Sequence, residues 1–354
     1  MRALTVSRNG AVALSELPRP AVPGECLIRV RAAGICGTDL HLLNGYADFS
    51  GVPGHEFVGV VEAVDAEDGR PWIGKRVVGD INVGCGACEA CARGVKEHCP
   101  SRTVLGIVNR SGAFADYVSL PAANLHAVPD ALPDEIAVFV EPTAAACRIL
   151  EQASVGPSTR AAVLGDGRFG QLIAQTLNAA GADTILIGKH PAKIEVAARL
   201  GVRTAMAASM PSSATNFDLV VEATGRPEGL GRAMTLVRPR GVIVLKSTFN
   251  GEVAMPTWPV VVHEVTVLGS RCGPFRPALE LLASGAVQAA PLISSVARLE
   301  DFERAFADAR RSLKVIFRMQ PRSVSEKHEH APSRPAPPAK NDQNRVVIPR
   351  EARC

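Results

Sequence analysis

The sequence predicts an α/β protein in which a β-rich domain is interrupted by a doubly wound parallel sheet. Residues 1–145 hold short strand-like runs (CLIRVRAAGI, FVGVVEAV, KRVVGDINV) separated by turn residues, the texture of a barrel or sandwich. From 146 to 272 apolar strands alternate with helices of about ten residues, the signature of βαβ units. Between 273 and 320 the mixed pattern returns, so the second domain reads as an insertion into the first.

Taken in order, residues 1–18 alternate and then turn, as an edge hairpin does, and lack the apolar stretch of a signal peptide. AAACRILEQA reads as a helix, AAVLGDG as a buried strand entering a glycine turn, and FGQLIAQTLNAAGA as a helix. TILIG, FDLVVEATG and GVIVLKS are strands, separated by the helices PAKIEVAARLG and GLGRAMTLV. PALELLASG and VIFRM then supply a helix and a strand to the returning first domain. The stretch 321–354 carries six prolines and few large apolar residues. Such a segment cannot bury enough apolar surface to offset its ordering entropy, so a disordered tail is expected.

Composition narrows the function. The chain has 354 residues, 47% hydrophobic and 21% charged, which excludes a wholly disordered or collagen-like chain and suggests two domains. Net charge is +4, and +3 of it falls in the 321–354 stretch, leaving a nearly neutral body with no call for nucleic acid. Aromatic residues make up 4%, too few for base-stacking platforms. No apolar run approaches the roughly 18 residues of a membrane span. A cytoplasmic enzyme with reduced thiols is the expectation, with a small-molecule substrate and neither a membrane nor a nucleic-acid partner.

Nine cysteines resemble a disulfide count, but four lie in GCGACEACARGVKEHC within a lobe spanning 84–100. Cys85, Cys88, Cys91 and Cys99 are separated by two, two and seven residues. Two-residue gaps let successive thiolates turn back on one ion, and the fourth closes a tetrahedron. Two disulfides would suit a secreted chain, and a ferredoxin-like iron–sulfur cluster would want a gap of three residues before its last cysteine, where Cys99 follows a gap of seven. A structural zinc fits better. A second donor set is scattered: Cys36 in GICGTDLH, His55 and Glu56 in GHEFVG, and Glu141 in VEP. One thiolate, one imidazole and a carboxylate make a three-ligand zinc set with an open position.

AAVLGDGRFGQLIA carries Gly165, Gly167 and Gly170 in the spacing Gly-x-Gly-x-x-Gly, after a strand and opening a helix. The first glycine permits the tight turn, the second lets backbone approach a pyrophosphate, and the third allows close helix–strand packing. Arg168 and Phe169 of the same loop are counted with the nucleotide residues. An acidic residue about 20 positions on would bind the ribose 2′-hydroxyl of NAD. That place falls at Gly188, Lys189 and His190, with no carboxylate, so Lys189 and His190 point to NADP in preference to NAD.

With these motifs the chain resembles the zinc-dependent medium-chain dehydrogenase/reductase superfamily over about residues 1–320. The pattern Cys-x-Ser/Thr-Asp-x-His is met by Cys36, Thr38, Asp39 and His41, and Gly-His-Glu-x-x-Gly by Gly54, His55, Glu56 and Gly59. Asp65 departs from the family, which has a small residue there. The resemblance implies a GroES-like catalytic domain with an inserted Rossmann domain, and NAD(P)-linked alcohol or carbonyl chemistry at zinc. It implies Cys36, His55 and Glu56 as ligands of a catalytic zinc. Glu141 stands where liver-type alcohol dehydrogenases carry a distant cysteine, and either binds the zinc or holds its water. Asp39 orients His55, and Thr38 and His41 relay the substrate proton. Two zinc ions per chain and a homodimer or homotetramer follow from the same resemblance. It tilts the substrate toward a polyol, sugar or amino alcohol, with an L-threonine 3-dehydrogenase-type enzyme as the close rival. A non-catalytic zinc- and nucleotide-binding redox sensor is the alternative from another class. Thr224, Ser270 and Arg271 lie in segments that pass near the nicotinamide in the family, and Cys26 and Cys147 read as packing residues.

Overall fold

The computed structural model describes residues 1–320 apart from 46–48, 65, 211–215, 249–251, 254 and 256. Asp65 and the expected tail at 321–354 therefore lie outside the described residues. The opening hairpin pairs β1 (Arg2–Val6) with β2 (Val12–Glu16), antiparallel. There follow β3 (Glu25–Gly34), α1 (Gly37–Leu42), β4 (Glu56–Val64), β5 (Arg76–Gly79), β6 (Asn82–Val83), α2 (Glu89–Ala92) and β7 (Thr103–Val104). β8 (Tyr117–Pro121), β9 (Leu125–Ala127), α3 (Asp134–Ala137) and the long α4 (Val140–Gln152) complete the first stretch.

The nucleotide-type stretch runs β10 (Arg160–Leu164), α5 (Arg168–Ala179), β11 (Asp183–Gly188), α6 (Pro191–Arg199), β12 (Arg203–Met206) and β13 (Phe217–Glu222). It continues with α7 (Glu228–Leu236), β14 (Val237–Leu245), α8 (Trp258–Val262) and β15 (Thr266–Gly269). α9 (Phe275–Ala283), β16 (Ile293–Ala297), α10 (Phe302–Ala309) and β17 (Lys314–Arg318) end the described chain.

Two sheets organise these elements. The parallel sheet has the order β12-β11-β10-β13-β14-β15. Its inner strands are nearly continuous apolar runs, as RAAVL and FDLVVE show, because helices cover both faces. One face packs Val163, Leu186 and Val221 against Ile173 and Leu177 of α5, and the other packs Ala162, Ile187 and Val220 against Ala233 and Leu236 of α7. The second sheet has the order β16-β17-β3-β4-β5-β9, with β8 also pairing β3. Its core sets Ile28, Phe57 and Leu120 beside Phe114, Phe306 and Phe317, whose rings meet edge to face.

The last two strands return across the whole inserted stretch. β17 pairs antiparallel with β3, matching Ile316 to Gly34, and β4 pairs with the same end of β3, matching Glu56 to Gly34. That register brings the start of β17 to the start of β4. The order of strands answers the GroES-like and Rossmann-type expectation, an α/β fold with a β-rich body and a separate parallel sheet. No helix among the described residues is long and apolar enough to cross a membrane.

Candidate active site and nucleotide cleft

Cys36 leaves the end of β3 and caps the N-terminus of α1. Its backbone N–H donates to Oδ2 of Asp39 at 2.7 Å, so the short helix is closed by the carboxylate one turn on. The other oxygen of Asp39, Oδ1, lies 3.4 Å from Nδ1 of His55, and both side chains are buried. Glu56 opens β4 beside it. Donor atoms of Cys36, His55 and Glu56 all lie within 4.8 Å of one another, so a thiol, an imidazole and a carboxylate converge from two strands. This donor set fits zinc.

The electrostatics of the cluster favour a thiolate at Cys36 beside a charged imidazole at His55. Burial opposes ionisation of Cys36, but the facing His55 outweighs it and holds the thiol down at about 5. Burial likewise works against a charged His55, and Asp39 overrides it, so His55 is raised. Glu141, in the first turn of α4, lies outside the 4.8 Å cluster. Burial raises its carboxyl to about 7, while His55 pulls the other way. The structure thus places Glu141 near the ligands without bringing it among them. Thr38 Oγ1 lies 3.8 Å from Cys36 Sγ, and His41 is exposed on the same helix.

One feature of this centre escaped sequence reasoning. Lys314, the first residue of β17, is fully buried and forms an ion pair with Glu56. Its Nζ donates to the Ile35 carbonyl at 3.4 Å and stands 5.5 Å from the ring centre of Phe139. The only sequence signal was a lysine at the head of an otherwise apolar strand.

The four lobe cysteines also converge, with all sulfurs within 4.8 Å and no disulfide among them. Tetrahedral coordination with Zn–S near about 2.3 Å places sulfurs ~3.8 Å apart, so the donor set fits one zinc ion. Backbone N–H groups of Ala87 and Cys88 point at Cys85 Sγ and hold its thiol down at about 6. The Cys85 N–H in turn donates to Cys99 Sγ at 3.4 Å.

The nucleotide loop has the geometry its glycines imply. Gly165 follows β10 with φ +117°, and a Cβ there would meet the Ala223 carbonyl at 2.5 Å. Gly167 caps α5 and faces open space, where a pyrophosphate can approach the free N–H groups of the helix start. A Cβ on Gly170 would lie 1.9 Å from the Gly165 oxygen. Arg168 turns toward the metal cluster: its Nη1 donates to the Leu313 carbonyl at 3.1 Å, and its charge helps hold Cys36 ionised. Phe169 lies beneath Lys246, whose Nζ is 5.7 Å from the ring centre. Lys246 is nine-tenths buried and donates to Ser270 Oγ at 2.8 Å and to the Arg271 carbonyl at 3.0 Å. Together with Glu97, Arg148 and Thr248 these residues line a cavity of about 380 Å³. Thr224 donates its N–H and its hydroxyl to Glu222 at the end of β13. Cys26 and Cys147 are both buried in apolar cores.

Lys189 and His190 follow β11, but they are not without a carboxylate. Asp166, inside the fingerprint, reaches across to them, and its Oδ2 accepts both backbone N–H groups at 2.7 Å. The ground for expecting NADP is therefore altered. The missed signal was an acid inside the glycine turn facing a glycine at the end of the next strand.

Comparison with known proteins agrees with this geometry. Residues 22–130 match the alcohol dehydrogenase GroES-like domain, and residues 134–319 match the glucose dehydrogenase C-terminus. An L-threonine 3-dehydrogenase of Bacillus subtilis is 30% identical over 86% of this chain and 94% of its own length. A D-altritol 5-dehydrogenase of Agrobacterium fabrum is 34% identical over 64% of this chain and 70% of its own. Among solved structures, an alcohol dehydrogenase of Escherichia coli complexed with NADH superposes with a TM-score of 0.85 at 26% identity, covering 90% of this chain and 99% of that one. A zinc-binding dehydrogenase of Sinorhizobium meliloti bound to NADP gives a TM-score of 0.81 at 27% identity over 90% of this chain and 98% of that one. The two matched domains span nearly all of the described residues and the relatives agree with the geometry, so the chain belongs to the zinc-dependent medium-chain dehydrogenase/reductase superfamily of NAD(P)-linked oxidoreductases.

Proposed function

We propose that the chain interconverts a primary or secondary alcohol and its carbonyl compound, passing hydride to or from the nicotinamide, with a polyol, sugar or amino alcohol as substrate. The observation that carries this reading is the approach of the nucleotide loop to the donor cluster, with Arg168 reaching from the fingerprint to the residues around Cys36. Cys36, His55 and Glu56 would hold a catalytic zinc, with Glu141 at the rim, and the four lobe cysteines a structural one. Zinc, when bound, supplies the Lewis acidity that eases loss of the substrate hydroxyl proton.

The protein's own residues then manage the proton. Thr38 would accept it from the substrate hydroxyl while giving up its own proton, and His41, on the exposed side of the same helix, would release a proton to solvent. In the reverse direction the same relay returns it. Asp39 fixes the ring of His55 through Nδ1, leaving Nε2 for the metal. An L-threonine 3-dehydrogenase-type reaction is the second reading, favoured by the Bacillus relative.

Self-association as a dimer or tetramer is supported by the place of β15 at the sheet edge among the described strands and by the exposed Trp258, Val261 and Val262 of α8 just before it. A reducing cytoplasm is the proposed compartment, since four of the cysteines are spaced as metal ligands. Asp166 sets a carboxylate against Lys189 and His190, which disfavours the 2′-phosphate of NADP at that place.

The test is a panel of polyols, sugars, amino alcohols and their carbonyl partners with both nucleotides, read by absorbance of the reduced nicotinamide beside a zinc count. Two zinc ions per chain and turnover on one of these classes are expected. Fully zinc-loaded protein that turns over none of them would sink the proposal.

A further inference from the structure

Asp166 occupies a position that no dinucleotide fingerprint requires to be acidic. It lies between the first two glycines of the turn, and its side chain is 8% exposed. Oδ2 accepts the N–H groups of Lys189 and His190, and Oδ1 lies 3.0 Å from Nδ1 of His190. Burial pushes this carboxyl upward, yet the His190 N–H, its imidazole and the Lys189 N–H together hold it below the ordinary range. It is an anion at neutral pH.

The space Asp166 fills is informative. Gly188 ends β11, the strand whose last residue carries the ribose-binding carboxylate in NAD-linked folds. A Cβ on Gly188 would lie 2.5 Å from both Cβ and Oδ2 of Asp166. The glycine and the acid have thus changed places between two neighbouring strands, and one carboxylate still stands at the end of β11. The arrangement is braced from beneath. Gln171, fully buried, donates from Nε2 to the Asp166 carbonyl at 3.1 Å and to the Lys193 carbonyl at 3.0 Å, tying the fingerprint to the start of α6.

We propose that Asp166 accepts one adenosine ribose hydroxyl and thereby makes NAD the preferred nucleotide, an assignment that rests on the NAD(P)-linked reading above. A carboxylate offers about four lone-pair positions. Three are taken by Lys189 and His190, and the one left on Oδ1 suits a hydroxyl donor. A 2′-phosphate would bring a charge of roughly −1.5 to −2 beside this anion. It would find the two backbone N–H groups already engaged and the His190 imidazole committed to Asp166. Lys189, on a solvent-exposed side chain, and Lys193, half-buried in the first turn of α6, are left to offset that repulsion, and ion pairs at such open positions are weak.

Titration of the zinc-loaded protein with NADH and NADPH, followed by nicotinamide fluorescence, tests the assignment without needing the right alcohol. NADH should bind at least tenfold more tightly than NADPH. Asp166→Asn keeps the acceptor shape and removes the charge, and should bring the two affinities to within about threefold by strengthening NADPH. Asp166→Ser, a second variant for use should the first not fold, should do the same. Lys189→Ala should leave the NADH-to-NADPH ratio within twofold of the wild type. Tighter binding of NADPH by the wild type, or an unchanged ratio in the Asp166 variants, overturns the proposal. Binding of neither nucleotide overturns it together with the dehydrogenase reading. NADH preference without turnover of any alcohol upholds Asp166 and counts only against the proposed reaction.

Discussion

Glu56 and Lys314 form a fully buried ion pair that joins a candidate metal ligand to the last strand of the protein. The ammonium is drawn down to about 8 by burial, against the pull of Cys36 and Asp39. Breaking one side of such a pair leaves an unbalanced buried charge, at a cost of about 3–5 kcal/mol. Lys314→Met should therefore destabilise the metal-free protein by that amount in urea unfolding, and adding Glu56→Gln should recover most of it. A Lys314→Met protein as stable as the wild type would remove the pair from the account.

Zinc stoichiometry separates the two thiol sites. Cys36→Ala should lower the count from two to one while the fold and nucleotide binding persist, with turnover lost. Cys91→Ser should instead release the lobe zinc. Asp39→Asn should keep both ions but weaken the cluster site by about 10–100-fold in chelator competition, since it removes the charge that orients His55. A Cys36→Ala protein that keeps both zinc ions would contradict this division. A redox sensor would show no turnover to lose.

The proton relay predicts unequal losses along α1. Thr38→Ala should cut kcat by about 10²–10³-fold with zinc content unchanged, a share within the range general acid–base groups supply. His41→Ala should cost less and be rescued by added imidazole buffer, because His41 is exposed. Equal activity of wild type and Thr38→Ala would exclude the relay.

Gly170→Ala is the steric test of the nucleotide loop. Its Cβ would sit 1.9 Å from the backbone oxygen of Gly165, which has no flexible end to move away. NADH affinity should fall at least tenfold with the zinc count intact, as measured by fluorescence titration.

Lys246 carries a pH signature. Burial lowers its pKa to about 7, against Cys272 and Glu141, which favour the charged form; Arg148 disfavours that form, and Cys147 supports it. The unfolded chain keeps the ammonium to about 10.4. Between these values the unfolded state binds the extra proton, so this group makes stability rise with pH. Its penalty is present in full below about 7 and fades toward about 10. Lys246→Met should thus be more stable than the wild type at about pH 6.5, with the advantage shrinking by about pH 9. A difference independent of pH would reject the shift.

What could be read in the sequence followed from local spacing. Gaps of two residues announce the four-thiol lobe, the Cys36–His41 and His55–Glu56 motifs announce the cluster, and Gly165 to Gly170 announce the turn. Each is set within one loop or one turn of helix. Lys314 reaches Ile35 across 279 positions, and Asp166 reaches His190 across 24, through a strand register that composition does not encode. Glu141 shows the converse. Its sequence position suggests a ligand, but the first turn of α4 leaves it outside the cluster, a matter of a few ångströms that spacing cannot resolve.

The pairing of β17 with β3 has a consequence for how the chain is made. The parallel sheet is contiguous in sequence and can fold as soon as β15 is synthesised, whereas the end of β3 at Ala32, Ala33 and Gly34 waits for β17, some 280 residues downstream. Until Lys314 arrives, Glu56 has no counter-ion, and a nascent chain can meet free metal with its donors only half arranged. Translation pauses or truncation before residue 314 should therefore yield a competent nucleotide binder that holds its cluster zinc weakly, the order of assembly being fixed by the direction of synthesis.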